Sequence, residues 1–256
     1  MTATILKTRG LRKEYGALVA VSDVSIEIEQ NTLHSIIGPN GAGKTTLFNL
    51  LSGSVKPTAG SVVYKDEDIT ALPMYKTIHK GIGRSYQITN VFPNLTVFEN
   101  IRLAAQSLGG SSFQFMRSID SFTDVNTRTG DVLERVGLGN DALKLARALP
   151  HGDQRKLELG MILAPDPEVL LLDEPTAGMA SDQVPELMAL VSQIQSEGNK
   201  TVVLVEHNMN VVMSASDQIT VMHQGSVLAE GTPDEIAGNT AVQEAYLGRL
   251  YNEDDS

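Results

Sequence analysis

The chain has 256 residues, 20 basic side chains against 31 acidic ones, a net charge of −11 and no cysteine. A chain of this length buries a substantial core, and with 41% hydrophobic residues it is neither disordered nor a disulfide or thiolate-metal scaffold. The acidic balance excludes a basic nucleic-acid groove, and the longest apolar runs, residues 169–172 and 202–205, are strand-sized, short of the roughly 18 residues a membrane-spanning helix needs.

The first ten residues lack the apolar core of a signal peptide and lead directly into sequence of folded character. The opening third predicts strands: residues 24–28 alternate, and 32–37 form a buried-type run ending at Gly38. Residues 45–51 then predict an apolar helix, and 61–64 a further strand after the turn signals Pro57 and Gly60. The middle, about 90–165, has helical character, with apolar spacing at 97–103 and 131–136. Between these two lies a polar, Gly- and Ser-rich stretch, 107–128, expected to be mobile or to face a partner.

The last third alternates strand and helix. Residues 169–172 predict a fully buried strand. The next helix has Pro185 in its first turn, a stripe of Val184, Leu187, Leu190, Val191 and Ile194, and a stop near Gly198. A strand at 201–205 follows, then two strands, 219–222 and 227–229, around Gln224-Gly225. Thr232-Pro233-Asp234-Glu235 has the form of a capping box, and the acidic end, 251–256, is expected to fray. The alternation predicts an α/β fold with a largely parallel sheet, into which the helical middle is inserted.

Gly38-Pro39-Asn40-Gly41-Ala42-Gly43-Lys44-Thr45 fits the phosphate-loop pattern G-x-x-x-x-G-K-[ST], between a predicted buried strand and an apolar helix that continues through Thr46. Glycines let consecutive backbone N–H groups curl around phosphate oxygens, and the helix N-terminus adds its dipole. Lys44 would bridge the β- and γ-phosphates as a point charge, and the Thr45 hydroxyl would ligate Mg²⁺. Asp173 and Glu174 end the apolar strand at 169–172, and open α/β sheets bind ligands at the carboxyl ends of their strands. Asp173 fits a Mg²⁺ contact through coordinated water, and Glu174 an acceptor that orients and deprotonates an attacking water.

With these motifs in place, nearly the whole chain resembles the nucleotide-binding subunit of an ATP-binding-cassette (ABC) transporter. Tyr15, in Lys13-Glu14-Tyr15-Gly16, resembles the aromatic that stacks on adenine. Gln87, in Arg84-Ser85-Tyr86-Gln87, resembles the glutamine that contacts Mg²⁺ and water where the helical subdomain joins. Leu149-Pro150-His151-Gly152-Asp153-Gln154 occupies the signature position, and His207, in Val205-Glu206-His207-Asn208, resembles the switch histidine at the γ-phosphate.

The resemblance implies a P-loop NTPase (RecA-like) core, an N-terminal antiparallel β subdomain and a helical subdomain at about 88–160, all within one nucleotide-binding domain spanning 1–250. It also implies an ATPase using ATP and Mg²⁺, paired with a second cassette, identical or different. Separate membrane permease subunits would hold it on the cytoplasmic face of the inner (plasma) membrane. Within the family, Leu149 to Arg155, Val205 to Met209 and the tail Val242-Gln243-Glu244-Ala245-Tyr246-Leu247-Gly248 are most similar to subunits that energise branched-chain amino-acid import. The alternatives are a non-transport ABC ATPase and an ATP-sensing regulator with little turnover. A DNA-type relative would carry a long coiled coil between Lys44 and Leu149, where no sustained heptads occur.

Two positions depart from the family. Pro150 stands where the signature usually has serine, and so brings neither a hydroxyl nor a backbone N–H. The amides of His151 and Gly152 remain to serve the nucleotide of the opposite cassette, and Asp153 is a candidate cap for the following helix. Ala180 stands where the D-loop usually ends in aspartate.

Overall fold

The computed structural model describes residues 3–85, 91–107 and 119–247. The chain opens with β1 (Thr4–Tyr15), β2 (Leu18–Val24), β3 (Glu27–Glu29) and β4 (Leu33–Ile37), followed by α1 (Lys44–Leu51). Next come β5 (Ala59–Tyr64), β6 (Glu67–Asp68), α2 (Met74–Lys80) and β7 (Ile82–Arg84). The helices α3 (Val97–Gln106), α4 (Ile119–Arg135) and α5 (His151–Leu163) form the middle. The rest alternates: β8 (Val169–Asp173), α6 (Val184–Gly198), β9 (Thr201–Val205), α7 (Met209–Ala215), β10 (Gln218–His223), β11 (Ser226–Gly231), α8 (Pro233–Ala237) and α9 (Thr240–Leu247).

Two sheets result. An antiparallel one runs β2-β1-β5-β6 with β3 also on β1, and a six-stranded one runs β11-β10-β4-β9-β8-β7. In the second sheet only the β10–β11 hairpin is antiparallel. The expected α/β fold is thus present, with its antiparallel N-terminal layer.

The parallel strands are buried on both faces, and their side chains sort by the two-residue period of a strand. Val169, Leu171, Val203 and Val205 point into a core shared with α1 and the antiparallel sheet, through Leu47, Phe48, Leu51 and Val62. Leu170, Leu172, Val202 and Leu204 point the other way, against Ile101, Val132, Leu157 and Ile194 of α3 to α6. That two-sided burial explains why the strand sequences read as unbroken apolar runs.

Three expectations are corrected. The single strand read at 24–28 is broken, because β2 ends at Val24 and β3 starts at Glu27. The Thr8 side chain fills the break, its Oγ1 donating to Val24 O at 3.0 Å and accepting from Ile26 N–H at 3.0 Å. The polar stretch 107–128 is in part helix, since α4 begins at Ile119. Its poor helix formers are held by packing of Val125, Val132 and Leu133 and by Thr129, whose hydroxyl donates to Val125 O at 2.7 Å. The stripe of α6 buries Leu187, Val191 and Ile194 as read but is broader, taking in Met188, while Val184 and Leu190 are only partly buried. The capping box at Thr232 forms as read, with Thr232 N–H donating to Glu235 Oε2 and Glu235 N–H to Thr232 Oγ1. Residues 251–256 and Gln87 lie outside the described residues.

Candidate functional site

β4, β9 and β8 are adjacent and parallel, so their carboxyl ends share one edge of the sheet. The loop of residues 38–43 leaves β4, Asp173 ends β8 with Glu174 directly after it, and His207 follows β9. One edge therefore collects three motifs that are far apart in the chain.

The loop is held by backbone packed tightly from behind. Gly38 has φ 151°, and a Cβ there would fall 2.2 Å from Met222 O. Gly43, at the N-cap of α1, has φ 99°, and a Cβ there would fall 2.4 Å from Ala20 O. The Gln224-Gly225 turn does more than close the β10–β11 hairpin. Gly225 N–H donates to Ala42 O at 3.0 Å, while its carbonyl accepts from Ser22 N–H at 2.8 Å, wedging the turn between the loop and β2. On the other flank lies Tyr246 of α9, whose hydroxyl burial pushes up to about 12, partly offset by the backbone of Gly38.

Lys44 is only 6% exposed. Its Nζ donates to Gly38 O at 2.7 Å and Pro39 O at 3.2 Å, which keeps the ammonium folded across the mouth of the loop. Thr45 is exposed and Thr46 half-buried at the start of α1, with Pro39 and Asn40 at the loop's rim and Gly41 and Ala42 completing it. Tyr15 ends β1 with 47% of its surface exposed, and the Lys13 ammonium lies 5.0 Å from its ring centroid. A flat aromatic face of this kind can stack on a base.

Asp173 is 3% exposed, and its Oδ1 is buried with no hydrogen-bond partner. Such an orphaned acceptor at the carboxyl edge of the sheet suits a cation or its water. Among the described residues no cluster of three or more His, Asp or Glu could hold a metal by itself. Burial raises the Asp173 carboxyl, the Arg84 cation opposes this, and Glu174 adds to it; the net shift is upward.

Glu174 has φ 50°, an uncommon left-handed conformation for a side chain of its type, fixed by its N–H donating to Val205 O at 2.9 Å. The turn aims its carboxylate at His207, whose Nε2–H donates to Oε1 at 2.7 Å. A carboxylate can only accept, so the hydrogen on Nε2 follows from the pair.

At the signature position, Pro150 is the N-cap of α5 and offers no side-chain hydrogen bond. His151, exposed, and Gly152, buried, are the first two helical residues, whose N–H groups have no acceptor within the helix. Asp153 does not cap, which corrects the expectation. It lies three residues beyond the cap and instead pairs with Lys156 at 3.2 Å. The signature lies against the 177–183 loop, since Arg155 Nη2 donates to Ala177 O at 3.0 Å and a Cβ on Gly152 would lie 3.1 Å from Gln183 Oε1.

Arg84 and Ser85 are among the residues of the site to which the sequence reading gave no role. Arg84 stands over the Phe48 ring, donates to Asn49 Oδ1 at 2.6 Å, and lies 3.8 Å from Asp173 Oδ2. Ser85 accepts the Asp173 N–H at 2.8 Å through its Oγ. Both belong to the segment that carried Gln87, so their proximity to the motif was the available signal.

Comparison with known proteins identifies the family. The family model described as "ABC transporter" matches residues 21–177, and one described as "Branched-chain amino acid ATP-binding cassette transporter" matches residues 226–250. The chain is 39% identical over 253 residues to the high-affinity branched-chain amino acid transport ATP-binding protein LivG of Escherichia coli (strain K12), covering 97% of this chain and 99% of that one. Among solved structures, the ADP conformation of an ATP-binding cassette of an ABC transporter superposes with TM-score 0.85 at 28% identity, over 96% of this chain and 100% of that one. A dimeric cassette in a post-hydrolysis state bound to ADP and Pi superposes with TM-score 0.76 at 26% identity, over 90% and 99%. With the loop, the carboxylate pair and the histidine assembled on one sheet edge, the chain belongs to the ABC transporter family, as one of its ATP-binding cassettes.

Proposed function

We propose that this chain binds and hydrolyses ATP to power import of branched-chain amino acids through separate membrane permease subunits. One observation carries the enzymatic part: Glu174, turned by its left-handed backbone, faces His207 across the sheet edge where the 38–45 loop ends. The amides of the loop and the Lys44 ammonium hold the phosphate tail, the Lys44 bonds to Gly38 O and Pro39 O giving way to phosphate oxygens. Tyr15 stacks on the adenine. Thr45, Asp173 and Gln87 would hold a Mg²⁺ ion, which would supply charge neutralisation at the phosphates. Glu174 takes the proton of the attacking water, and His207 fixes Glu174 and meets the γ-phosphate.

The substrate assignment is supported by the similarity to LivG over almost the full length of both chains, and by the C-terminal match at 226–250. A second cassette, identical or different, completes each site through the amides of His151 and Gly152. This pairing is supported by the dimeric solved relative. Among the described residues no helix is long and apolar enough to cross a membrane. The similarity to a transport ATP-binding protein supports a permease carried by other chains, with this one held peripherally on the cytoplasmic face of the inner membrane. Motion would pass from the nucleotide through the segment of Gln87 and the 88–130 region to helices of that permease.

The test is reconstitution of the purified chain with its co-purifying membrane subunits in vesicles. ATP-dependent uptake of labelled leucine, isoleucine or valine is expected. Phosphate release without uptake of any of these would retain the ATPase and reject the substrate.

A further inference from the structure

Glu206 is a buried acid to which none of the roles above gives a task. It follows β9 immediately before His207 and is 4% exposed. Its Oε1 accepts both the N–H of Thr176, at 3.0 Å, and the Thr176 hydroxyl, at 2.6 Å. Its Oε2 accepts the N–H of His207 at 3.2 Å. Thr176 is itself buried, two residues beyond Glu174. One carboxylate thus gathers three donors from two loops, the one after β8 and the one after β9.

These bonds close a ring. The backbones meet where Glu174 N–H donates to Val205 O, the side chains meet where His207 donates to Glu174, and Glu206 ties Thr176 to His207. Three donors converging on a buried carboxylate define its orientation, because leaving any of them unpaired away from water is costly. Glutamine in the same place would set an NH₂ group against at least one donor, and aspartate is one methylene short.

We propose that Glu206 is a positioning residue, which joins the 174–180 loop and His207 into one body and so sets the pose of His207 against Glu174. Displacement of the 177–180 segment by an opposing cassette would then move the histidine relative to the carboxylate, linking assembly of the pair to turnover. This rests on the reading that Glu174 and His207 act on ATP.

The experiment uses the full-length chain, with its co-purifying subunits, in four forms: wild type, Glu206→Gln, Thr176→Val and Thr176→Ser. Thr176→Val keeps the shape and removes the hydroxyl donor; Thr176→Ser restores that donor. Glu206→Gln and Thr176→Val are expected to keep ATP affinity within about twofold while lowering kcat about tenfold or more, and Thr176→Ser to stay within about threefold of wild type. The His207 ring signal in the NMR spectrum of nucleotide-free protein, assigned by its loss in His207→Ala, should move in the first two variants and not in Thr176→Ser. Wild-type kcat with an unmoved ring signal in Glu206→Gln and Thr176→Val overturns the proposal. So does a parallel fall in kcat and ATP affinity, which marks a residue needed only for folding. Should Glu206→Gln fail to fold, the Thr176 pair decides. If wild type itself releases no phosphate, the ATPase reading fails, and the ring signal still decides the role of Glu206.

Discussion

His207 Nε2 lies 2.7 Å from Glu174 Oε1, joining two residues that are 33 positions apart in the chain. The contact depends on Glu174 leaving β8 with φ 50°, which turns its side chain toward the end of β9. Replacing Glu174 by Gln preserves the shape and removes the proton acceptor. Phosphate release should fall by about 10²-fold or more with ATP affinity within a few-fold of wild type, measured by a phosphate assay and by nucleotide titration. Hydrolysis at the wild-type rate would remove Glu174 from its proposed role.

Lys44 is the loop's only cation and is nearly buried against two of the loop's carbonyl oxygens. Lys44→Ala removes a charge-assisted hydrogen bond worth about 1.5–3 kcal/mol, so ATP affinity should drop at least about tenfold in isothermal titration. Unchanged affinity would mean that the nucleotide binds elsewhere.

The pair of Arg84 and Asp173 is almost fully buried, with side-chain exposures of 7% and 2%. Removing one member of such a pair leaves the other charge unbalanced. Arg84→Met is therefore expected to lower stability by about 3–5 kcal/mol, read from the urea midpoint. A midpoint equal to wild type would show that the 3.8 Å separation carries no net attraction.

His34 gives a stability signal separate from the nucleotide site. It is buried in β4, its Nε2 bonded to Thr220 Oγ1 at 2.7 Å and its Nδ1 unpartnered. Burial lowers it to about 4, partly offset by Glu29. The unfolded chain takes up a proton here near its ordinary 6.5, and the folded chain only near 4. As the pH falls through that window, wild type should lose up to about 3 kcal/mol that His34→Gln does not lose. Denaturant melts of both proteins at pH 7 and pH 4.5 check this, and equal losses in the two would refute it.

Pro150 caps α5 without a side-chain bond, where serine is among the best caps. Pro150→Ser should stabilise the chain by about 0.5–1 kcal/mol in denaturant melts. If the signature of an opposing cassette faces the γ-phosphate, the added hydroxyl and N–H should also raise turnover. A gain in stability without a gain in rate would confine the effect of Pro150 to the helix.

Much of this protein is determined by local pattern. The phosphate loop, the acids after β8 and the capping box at Thr232 were legible because each depends on neighbours within a few residues, and the alternation of apolar strands and helices already implied the parallel sheet. Other features were decided only by tertiary contact. The break between β2 and β3 exists because the Thr8 side chain arrives from another strand. α4 runs through Asn126, Thr127 and Thr129 because packing of Val125, Val132 and Leu133 outweighs weak helix propensity. Arg84, Ser85, Gly225 and Glu206 gain their places at the site only once β4, β7, β8, β9 and the β10–β11 hairpin are laid side by side. Periodicity tells a chain which face to bury, but which buried polar groups will meet depends on strand order, and strand order is a property of the assembled sheet.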